Sequence, residues 1–327
     1  MRHATPALAA LLLLLPACGD LAPLPPIDAA DATSDTATAP DTTAPSALAY
    51  APCPDATRIG RFTLARDLEL TTIDGRVHSG VVPANIREVA LADGPCRVLV
   101  GRSLFCDPAC GAGETCGEGG TCIPYPTAQD VGEVSVSGLS VPLVLTSSSS
   151  HFYSNGATTL PHPAWEDGDR LTLTAPGGAL TPFTLEGRGV PVLDVPTAAI
   201  PVARDAATTI TWTPPTAAGD ARIQILFDLA HHGGIAASIV CDDLPDNGTY
   251  TVPAALVTRL LDEGVAGFPL VTVTRQTVDS TTLAAGCVEL RVTAAVSRDV
   301  LVPGLVSCAD DDGCTPPATC QDDLTCQ

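Results

Sequence analysis

One short segment gathers oxygen ligands of the kind that bind calcium. Asp242, Asp243, Asp246 and Asn247 lie within six residues, after an apolar run typical of a strand and before Gly248. Carboxylate and amide oxygens are the ligands that Ca2+ takes in proteins, but this spacing does not match an EF-hand loop and no closing Glu follows. Asp-Asn-Gly is also an ordinary hairpin turn. The sequence leaves a turn and a calcium site as alternatives, and calcium is the one cofactor that it suggests.

Two other segments combine residue types that occur in functional sites, and each has a simpler interpretation. His231 and His232 precede two glycines. Adjacent residues of a strand point to opposite faces, so a solvated turn is favoured over a metal site. Trp165 lies beside the carboxylates of residues 166–169. Aromatic platforms of this kind bind sugars, but a capped turn accounts for the same pattern.

The sequence carries none of the specific catalytic signatures that we sought. It lacks H-E-x-x-H, G-x-S-x-G, a Walker motif and a dinucleotide-binding fingerprint. It also lacks lysine, since all 16 basic side chains are arginine. This excludes a lysine Schiff base and a P-loop lysine. A hydrolase with dispersed carboxylates is the enzymatic alternative, and the sequence favours a protein without catalytic residues.

Composition limits the partners of this chain of 327 residues. Its net charge is −21, and 45% of its residues are hydrophobic although only 4% are aromatic. A surface this acidic repels phosphate backbones and anionic lipid headgroups. Nucleic acid is therefore excluded as a partner, and any attachment to a membrane must come from something other than charge.

The amino terminus has the features of an export signal. Arg2 precedes an apolar run of nine residues, Ala7 to Leu15. A membrane-spanning helix needs about 20 residues, so this run is interpreted as the core of a signal peptide, residues 1–17. The alternative processing site is one for an ordinary signal peptidase, which would leave Cys18 with a free thiol.

The segment Leu15-Pro16-Ala17-Cys18 resembles the lipobox of bacterial lipoproteins, and the chain is similar to the cysteine-rich lipoproteins of high-GC Gram-negative bacteria. The resemblance implies a diacylglyceryl group on the sulfur of Cys18, cleavage before it and a further acyl chain, such as palmitate, on its amine. Gly19 follows instead of Asp, which implies the outer membrane. Periplasmic and surface faces stay open. Cysteine parity agrees, because the chain has 13 cysteines and twelve without Cys18.

A tether follows the acylated cysteine, over residues 18–50. Between residues 19 and 49 there is no aromatic and no basic residue, and the five aspartates repel one another. Such a segment cannot bury enough apolar surface to offset its ordering entropy. We expect a disordered stalk with a reach of roughly 30 Å as a flexible coil.

Eight cysteines form two clusters with similar spacing, in residues 105–124 and 306–327. They resemble short, loosely EGF-like cysteine-rich repeats. Zinc is the alternative, but structural zinc sites favour pairs two to four residues apart and an exported compartment oxidises thiols.

Four cysteines allow three pairings. We favour first-to-third and second-to-fourth, because loops between neighbours would be tight: Cys106–Cys116, Cys110–Cys122, Cys308–Cys320 and Cys314–Cys326. For the scattered cysteines we expect Cys53–Cys96 and Cys241–Cys287.

The remaining segments alternate apolar and polar residues between Gly, Pro, Asp and Asn turns, which predicts many short strands. We expect a small β-unit over 51–104 and a β-sandwich over 125–305. Residues 210–215 and the strand at Ile223 resemble an immunoglobulin- or fibronectin-like strand pair, with Trp212 in the core. One helix is expected between Pro253 and Gly264. The predicted fold class is mainly β, an Ig-like β-sandwich with small disulfide-rich modules and a disordered N-terminal tether.

These features predict a non-catalytic lipoprotein of the cell envelope that serves adhesion, binding or structure at the cell surface. Its membrane contact would be the lipid anchor, and its partner a protein or a glycan. The two alternatives are a calcium- or carbohydrate-binding module and the hydrolase named above.

Overall fold

The structure is a computed structural model, and it describes residues 47–156, 158–216, 219–232, 234 and 237–327. The predicted signal peptide, Cys18 and the tether up to residue 46 lie outside the described residues. The prediction of a disordered tether was wrong for residues 47–50, because the N–H of Leu48 and the hydroxyl of Tyr50 donate hydrogen bonds to Asp220 and Asp242 of the body. The described residues form 18 strands, one α-helix and two short 3-10 helices, Pro83–Asn85 and Asp311–Gly313. The strands and the α-helix are β1 (Arg58–Arg66), β2 (Thr71–Val77), β3 (Glu88–Asp93), β4 (Cys96–Val100), β5 (Glu114–Cys116), β6 (Cys122–Pro124), β7 (Val134–Ser137), β8 (Leu143–Leu145), β9 (Tyr153–Ser154), β10 (Arg170–Ala175), β11 (Phe183–Arg188), β12 (Ala199–Pro201), β13 (Thr208–Thr211), β14 (Arg222–Asp228), β15 (Ser238–Pro245), β16 (Thr249–Val252), α1 (Ala254–Glu263), β17 (Leu270–Leu283) and β18 (Gly286–Leu301).

One large sheet organises the body. Its ten strands include the path β3-β4-β15-β14-β17-β18-β1-β2-β9, and β12 pairs with the far part of β18. The long hairpin β17–β18 runs through its centre, with Leu283 opposite Gly286 at the tip. Both β1 and β12 run parallel to β18, along the same edge.

One face of this sheet carries the apolar core, in two halves. A four-stranded sheet, β11-β10-β7-β8, packs over β1, β2 and the first part of β18. The two sheets come close at Gly187 of β11, where a Cβ atom would lie 2.4 Å from Cγ2 of Val292. Glycine is therefore required at this position. The predicted mainly β class with face-to-face sheets is confirmed.

The other half of the core lies under the helix and the β13–β16 pair. Leu256 and Leu260 of α1 pack with Ile225 and Val273 of the large sheet, and Trp212 is buried beside them, as expected. The predicted helix is present, and it ends at Gly264, whose φ of 118° favours glycine. No helix among the described residues is long and apolar enough to cross a membrane.

Two predictions about strand partners were wrong. The strands of 51–104 do not form a separate unit, because β1 to β4 belong to the same sheet as β14 to β18. The strand at Ile210 does not pair with the strand at Ile223. It pairs with β16 instead, and β14 lies between β15 and β17. Alternating residues determine which face of a strand is buried, but they do not select its neighbour.

All twelve cysteines of the described residues form disulfides, so the zinc alternative is not realised in this structure. In the two modules the structure pairs Cys106–Cys116, Cys110–Cys122, Cys308–Cys320 and Cys314–Cys326, which is the order favoured above.

The expected pairs Cys53–Cys96 and Cys241–Cys287 are corrected by the structure, which pairs Cys53 with Cys287 and Cys96 with Cys241. Cys96 and Cys241 lie opposite each other on the adjacent strands β4 and β15. The disulfide partners differ from the expected ones because the strands of both regions belong to a single sheet, which places residues that are far apart in sequence on neighbouring strands.

Candidate functional site: the strap and the polar face

An extended segment, residues 47–54, binds to the face of the large sheet that carries no apolar core. We call this segment the strap. The Ala51 N–H donates to the carbonyl of Val278 at 2.9 Å, and the Leu48 N–H donates to Asp220 at 2.9 Å. The Cys53–Cys287 disulfide fixes the end of the strap to β18. The strap is thus held at several points along its length.

The side chains that meet the strap come from adjacent strands. Strands alternate their side chains between two faces, so Glu289 and Arg291 of β18 share one face, and the register places Arg61 of β1 beside Glu289. Gln276 of β17 and Gln224 of β14 lie on this face as well. We call the group the polar face, together with Asp242: Arg61, Gln224, Asp242, Gln276, Glu289 and Arg291.

Glu289 is the central charge of the polar face, and its side chain is fully buried. Its Oε1 atom accepts bonds from Nε of Arg61 at 2.5 Å and Nε of Arg291 at 3.0 Å. Its Oε2 atom accepts the backbone N–H of Cys53 at 2.8 Å. Burial acts to raise the pKa of Glu289, but Arg291, Arg61 and the strap N–H outweigh it and hold the pKa below its usual value. The carboxylate is therefore charged, and it links the strap to two strands.

Tyr50 of the strap joins a second group of the polar face. Its hydroxyl donates to Oδ1 of Asp242 at 2.6 Å and accepts a bond from Nε2 of Gln276 at 2.7 Å. Nη1 of Arg291 donates to Oε1 of Gln276 at 3.3 Å, which connects this group with Glu289. Burial, with the charge of Asp242, raises the pKa of Tyr50 far above its usual value. The phenol is thus a neutral donor to a carboxylate.

A β-bulge explains why Asp242 faces the strap. The register between β14 and β15 shifts between Ile223 and Ile225, so that Asp242 and Asp243 together lie opposite Gln224. Asp243 adopts a positive φ of 55°, as the extra residue of a bulge can. Asp243 pairs with Arg222 at 3.0 Å. The two neighbouring carboxylates consequently have different partners.

The remaining residues of the suggested calcium site are engaged elsewhere. Asp246 pairs with the buried guanidinium of Arg275 at 2.5 Å and accepts a bond from Nε1 of Trp212 at 2.8 Å. Oδ1 of Asn247 faces the N–H of Thr249 within the hairpin turn, at 3.4 Å. Among the described residues, the groups of three potential ligand atoms within 4.8 Å of one another consist of disulfide-bonded cysteines. Asp242, Asp243, Asp246 and Asn247 are not brought together, and calcium binding there stays a prediction from sequence.

The other two segments have the local structure of turns. Nδ1 of His231 lies 3.1 Å from Oδ2 of Asp228, and the ring of His231 lies beside that of His232 after the end of β14, with the ring centres 4.1 Å apart and the planes tilted by 54°. Trp165 is only 2% exposed, which is incompatible with a sugar-binding platform. Asp169 accepts the N–H of Glu166 at 2.8 Å, which is the capped turn expected for this segment.

Sequence reasoning missed the polar face. A signal was present in Glu289 and Arg291, two opposite charges that occupy the polar positions of an otherwise apolar strand. An alternating strand normally turns such residues to solvent. The strap, which lies far away in the sequence, covers part of this face by its contacts with Glu289 and Gln276.

We expect Tyr50→Phe to lower the free energy of unfolding by about 1–3 kcal/mol at pH 7, because Asp242 loses a half-buried hydrogen-bond donor. The raised pKa adds a pH dependence. Stability from Tyr50 is complete below the unfolded pKa of about 10 and is lost as the pH rises toward the folded value. Denaturant unfolding at pH 7 and between pH 9 and 11 measures both effects.

The control for this prediction is Tyr125→Phe, since Tyr125 is 54% exposed. It should leave both the stability and its alkaline decline unchanged. If Tyr50→Phe declined between pH 9 and 11 as steeply as the unchanged protein, the strap contact would not be the source of the alkaline sensitivity.

Comparisons with known proteins give no family for this chain. No protein-family model matches it, and no curated protein matches it. Among solved structures, a crystal structure of the chicken CNTN1 FN1–FN3 domains is similar over 66% of this chain, with 6% identity and a TM-score of 0.20. The chain spans 64% of the length of that structure. A TM-score this low carries no argument, so the proposals below are based on the chain itself.

Proposed function

We propose that this protein is a non-catalytic lipoprotein of the cell envelope. In this proposal a lipid on Cys18 anchors it, residues 19–46 form the stalk, and the disulfide-braced β body is a binding or structural module at the cell surface. The six disulfides of the described residues are typical of proteins in an oxidising compartment, extracellular or in the envelope.

The observation that carries the proposal is the strap. It is the first described segment after the stalk, and a disulfide, a buried carboxylate and a half-buried phenol hold it to the centre of the sheet. A body that is attached through its N-terminal segment needs this segment to resist detachment. The polar face meets that need, because it places its buried charges against the strap.

The cavities support a role without catalysis. Two cavities among the described residues have volumes of about 150 and 300 Å3, and neither is lined by histidine or cysteine. The larger cavity is lined by the carboxylates of Asp67 and Glu69. A carboxyl group that acts as the general acid of a glycosidase needs a raised pKa. The pKa of Asp67 is lowered instead, because its carboxylate accepts the N–H groups of Glu69 and Leu70.

The experiment that tests the proposal is intact-mass analysis of the mature protein from a Gram-negative host. We expect a chain that begins at Cys18 and carries the mass of a diacylglyceryl group and an additional acyl chain. We also expect the protein to sediment with membranes and to be released by detergent, since two or three acyl chains give stable anchoring.

The matched control is Cys18→Ala, which keeps the export signal but removes the acylated sulfur. This variant should be recovered without membranes, with the same six disulfides. A mature protein without fatty acid, or membrane association that survives Cys18→Ala, would refute the anchoring proposal.

A further inference from the structure

The pairing of β18 is interrupted along one edge. β1 pairs with β18 up to Arg66 and Ala294, and β12 pairs with the same edge of β18 from Ala199 and Asp299 onward. On the other edge β17 pairs with β18 without a gap from Gly286 to Asp299. Residues 295–298 therefore have a neighbouring strand on one side only.

The backbone directions show which groups face this gap. The Val300 N–H donates to the carbonyl of Pro269, on the side of β17, whereas the Cys287 N–H and the Leu301 carbonyl bond to the opposite side. Since alternate residues of a strand direct their backbone groups to opposite edges, Ala295 and Ser297 point to the gap.

Some of the backbone groups of Ala295 and Ser297 that face the gap already have hydrogen-bond partners. A parallel ladder that ends at the Arg66–Ala294 pair engages the N–H of Ala295. Nη1 of Arg298 donates to the carbonyl of Ser297 at 3.0 Å. The carbonyl of Ala295 and the N–H of Ser297 are left without a partner strand in the described part of the chain. These two groups lie on either side of Val296. One residue of an added parallel strand could bond to both, by donating its N–H to the carbonyl of Ala295 and accepting the N–H of Ser297 with its own carbonyl.

A groove of about 300 Å3 lies along this gap. The turn after β1, residues 66–69, forms one wall, residues 192–193 form the other, and β18 from Ala294 to Arg298 forms the floor. Leu68 is 75% exposed and Val192 is 44% exposed at the rim. Asp67 holds the turn by accepting two backbone N–H bonds, of 2.8 Å each, so Leu68 is presented on a fixed support.

The charges of the groove that belong to no ion pair among the described residues are the carboxylates of Asp67 and Glu69 and the guanidinium of Arg298, so their sum is negative. Arg66 pairs with Asp167, and Arg298 donates to the carbonyls of Val195 and Thr197. Asp67 and Glu69 belong to none of the ion pairs formed by described residues. The groove thus offers an apolar rim and two carboxylates to whatever enters it.

We propose that this groove binds an extended segment of a partner protein, in which a basic side chain neighbours an apolar one. The partner segment adds to the sheet beside residues 295–298, its basic side chain meets Asp67 and Glu69, and its apolar side chain packs against Leu68 and Val192. This assignment deepens the binding role proposed above and rests on it.

Three arguments select this occupant. Unpaired carbonyl and N–H groups along a strand edge are satisfied by another extended backbone, as in strand addition. The segment runs parallel to β18, since β1 and β12 do so on the same edge. The chain's own stalk does not fit by charge, because residues 19–46 contain five aspartates and no basic residue.

A binding experiment uses the acetylated and amidated peptide Ser-Arg-Val-Thr-Arg-Ser as the probe, with Glu in place of both Arg as its control. We expect the basic peptide to bind with a Kd near or below about 1 mM and the acidic peptide at least roughly tenfold more weakly. In an NMR titration the amides of Ser297 and Ala295 should shift, with little change at Val296, which bonds to β17.

Two variants locate the binding to the groove. Leu68→Ser should weaken binding of the basic peptide roughly tenfold, whereas Val144→Ser, which alters another exposed apolar residue, in the four-stranded sheet, should not. Ser297→Pro removes the N–H that faces the gap, and proline is tolerated at an open strand edge. It should also weaken binding at least tenfold if it folds.

Hydrogen exchange of the unchanged protein tests the premise without any variant. The Ser297 amide should exchange faster than those of Val296 and Arg298, and the peptide should slow it. Equal protection of the three amides, binding that is unaffected by Leu68→Ser, or no binding of the basic peptide at about 1 mM would overturn the proposal. None of these results bears on acylation of Cys18, so the two proposals fail separately. Shifts at the groove that depend on protein concentration alone would identify a second copy as the occupant and would likewise overturn it.

Discussion

Replacing Cys53 and Cys287 together by Ser should lower the free energy of unfolding by about 4–5 kcal/mol, against about 3 kcal/mol for Cys314 and Cys326. The separations are 234 and 12 residues. In the chain-entropy account, a cross-link removes more freedom from the unfolded chain when it closes a longer loop. Guanidinium unfolding of the two double variants measures the difference. Equal losses would mean that strain or residual structure, and not loop length, determines the contribution.

The same cross-link predicts how the strap behaves. Without it, hydrogen bonds from Leu48, Tyr50, Ala51 and Cys53 alone hold the segment. We therefore expect faster amide exchange of residues 47–53 in the Cys53→Ser, Cys287→Ser variant. The rest of the sheet should keep its protection, apart from the global loss of stability.

Peptide mapping without reduction tests the long disulfides directly. Cleavage after arginine places Cys53, Cys96, Cys241 and Cys287 on four different peptides, since arginines separate all of them. The structure predicts that the Cys53 peptide is linked to residues 276–291 and that residues 88–97 are linked to residues 223–259. Recovery of Cys53 with Cys96 would refute the topology of the sheet.

Glu289→Gln should lower the free energy of unfolding by about 3–5 kcal/mol, because it leaves the largely buried guanidinium of Arg291 without its carboxylate. The side chain of Arg291 is only 11% exposed and that of Glu289 is fully buried. The amide of Gln would also direct N–H groups at one of the arginines. Denaturant unfolding at neutral pH measures the loss.

The pH dependence of this effect has a definite sign. The folded pKa of Glu289 is below the ordinary value, so its stabilisation is complete above the unfolded pKa of about 4.3. It is lost as the pH falls through the lower, folded value. The Glu289→Gln variant should therefore show a flatter decline of stability below pH ~4 than the unchanged protein.

A surface ion pair provides the control. Glu186 pairs with Arg170, and both side chains are substantially exposed. Glu186→Gln should cost less than about 1 kcal/mol. If Glu289→Gln were as mild as this control, the polar face would not contribute to holding the strap.

The local features of this protein can be predicted from the amino-acid sequence alone. The strands follow from alternation, and the helix from Pro253, Gly264 and one apolar face, because both patterns arise from neighbouring residues. The favoured pairing within the cysteine modules also concerns residues 10 to 12 positions apart. At Trp165 a capped turn was the simpler alternative to a sugar-binding platform. This turn is formed by a hydrogen bond between residues three positions apart.

Contacts between distant segments could not be predicted from the sequence and were revealed by the folded arrangement. This arrangement brought Cys53 to Cys287 and Cys96 to Cys241, and it placed the strands of 51–104 in one sheet with those after residue 222. A bulge turned Asp242 toward Tyr50, away from the other carboxylates of its turn. The physical reason is that strand pairing depends on backbone bonds available to every residue, so an alternating pattern determines a face and leaves the neighbour open.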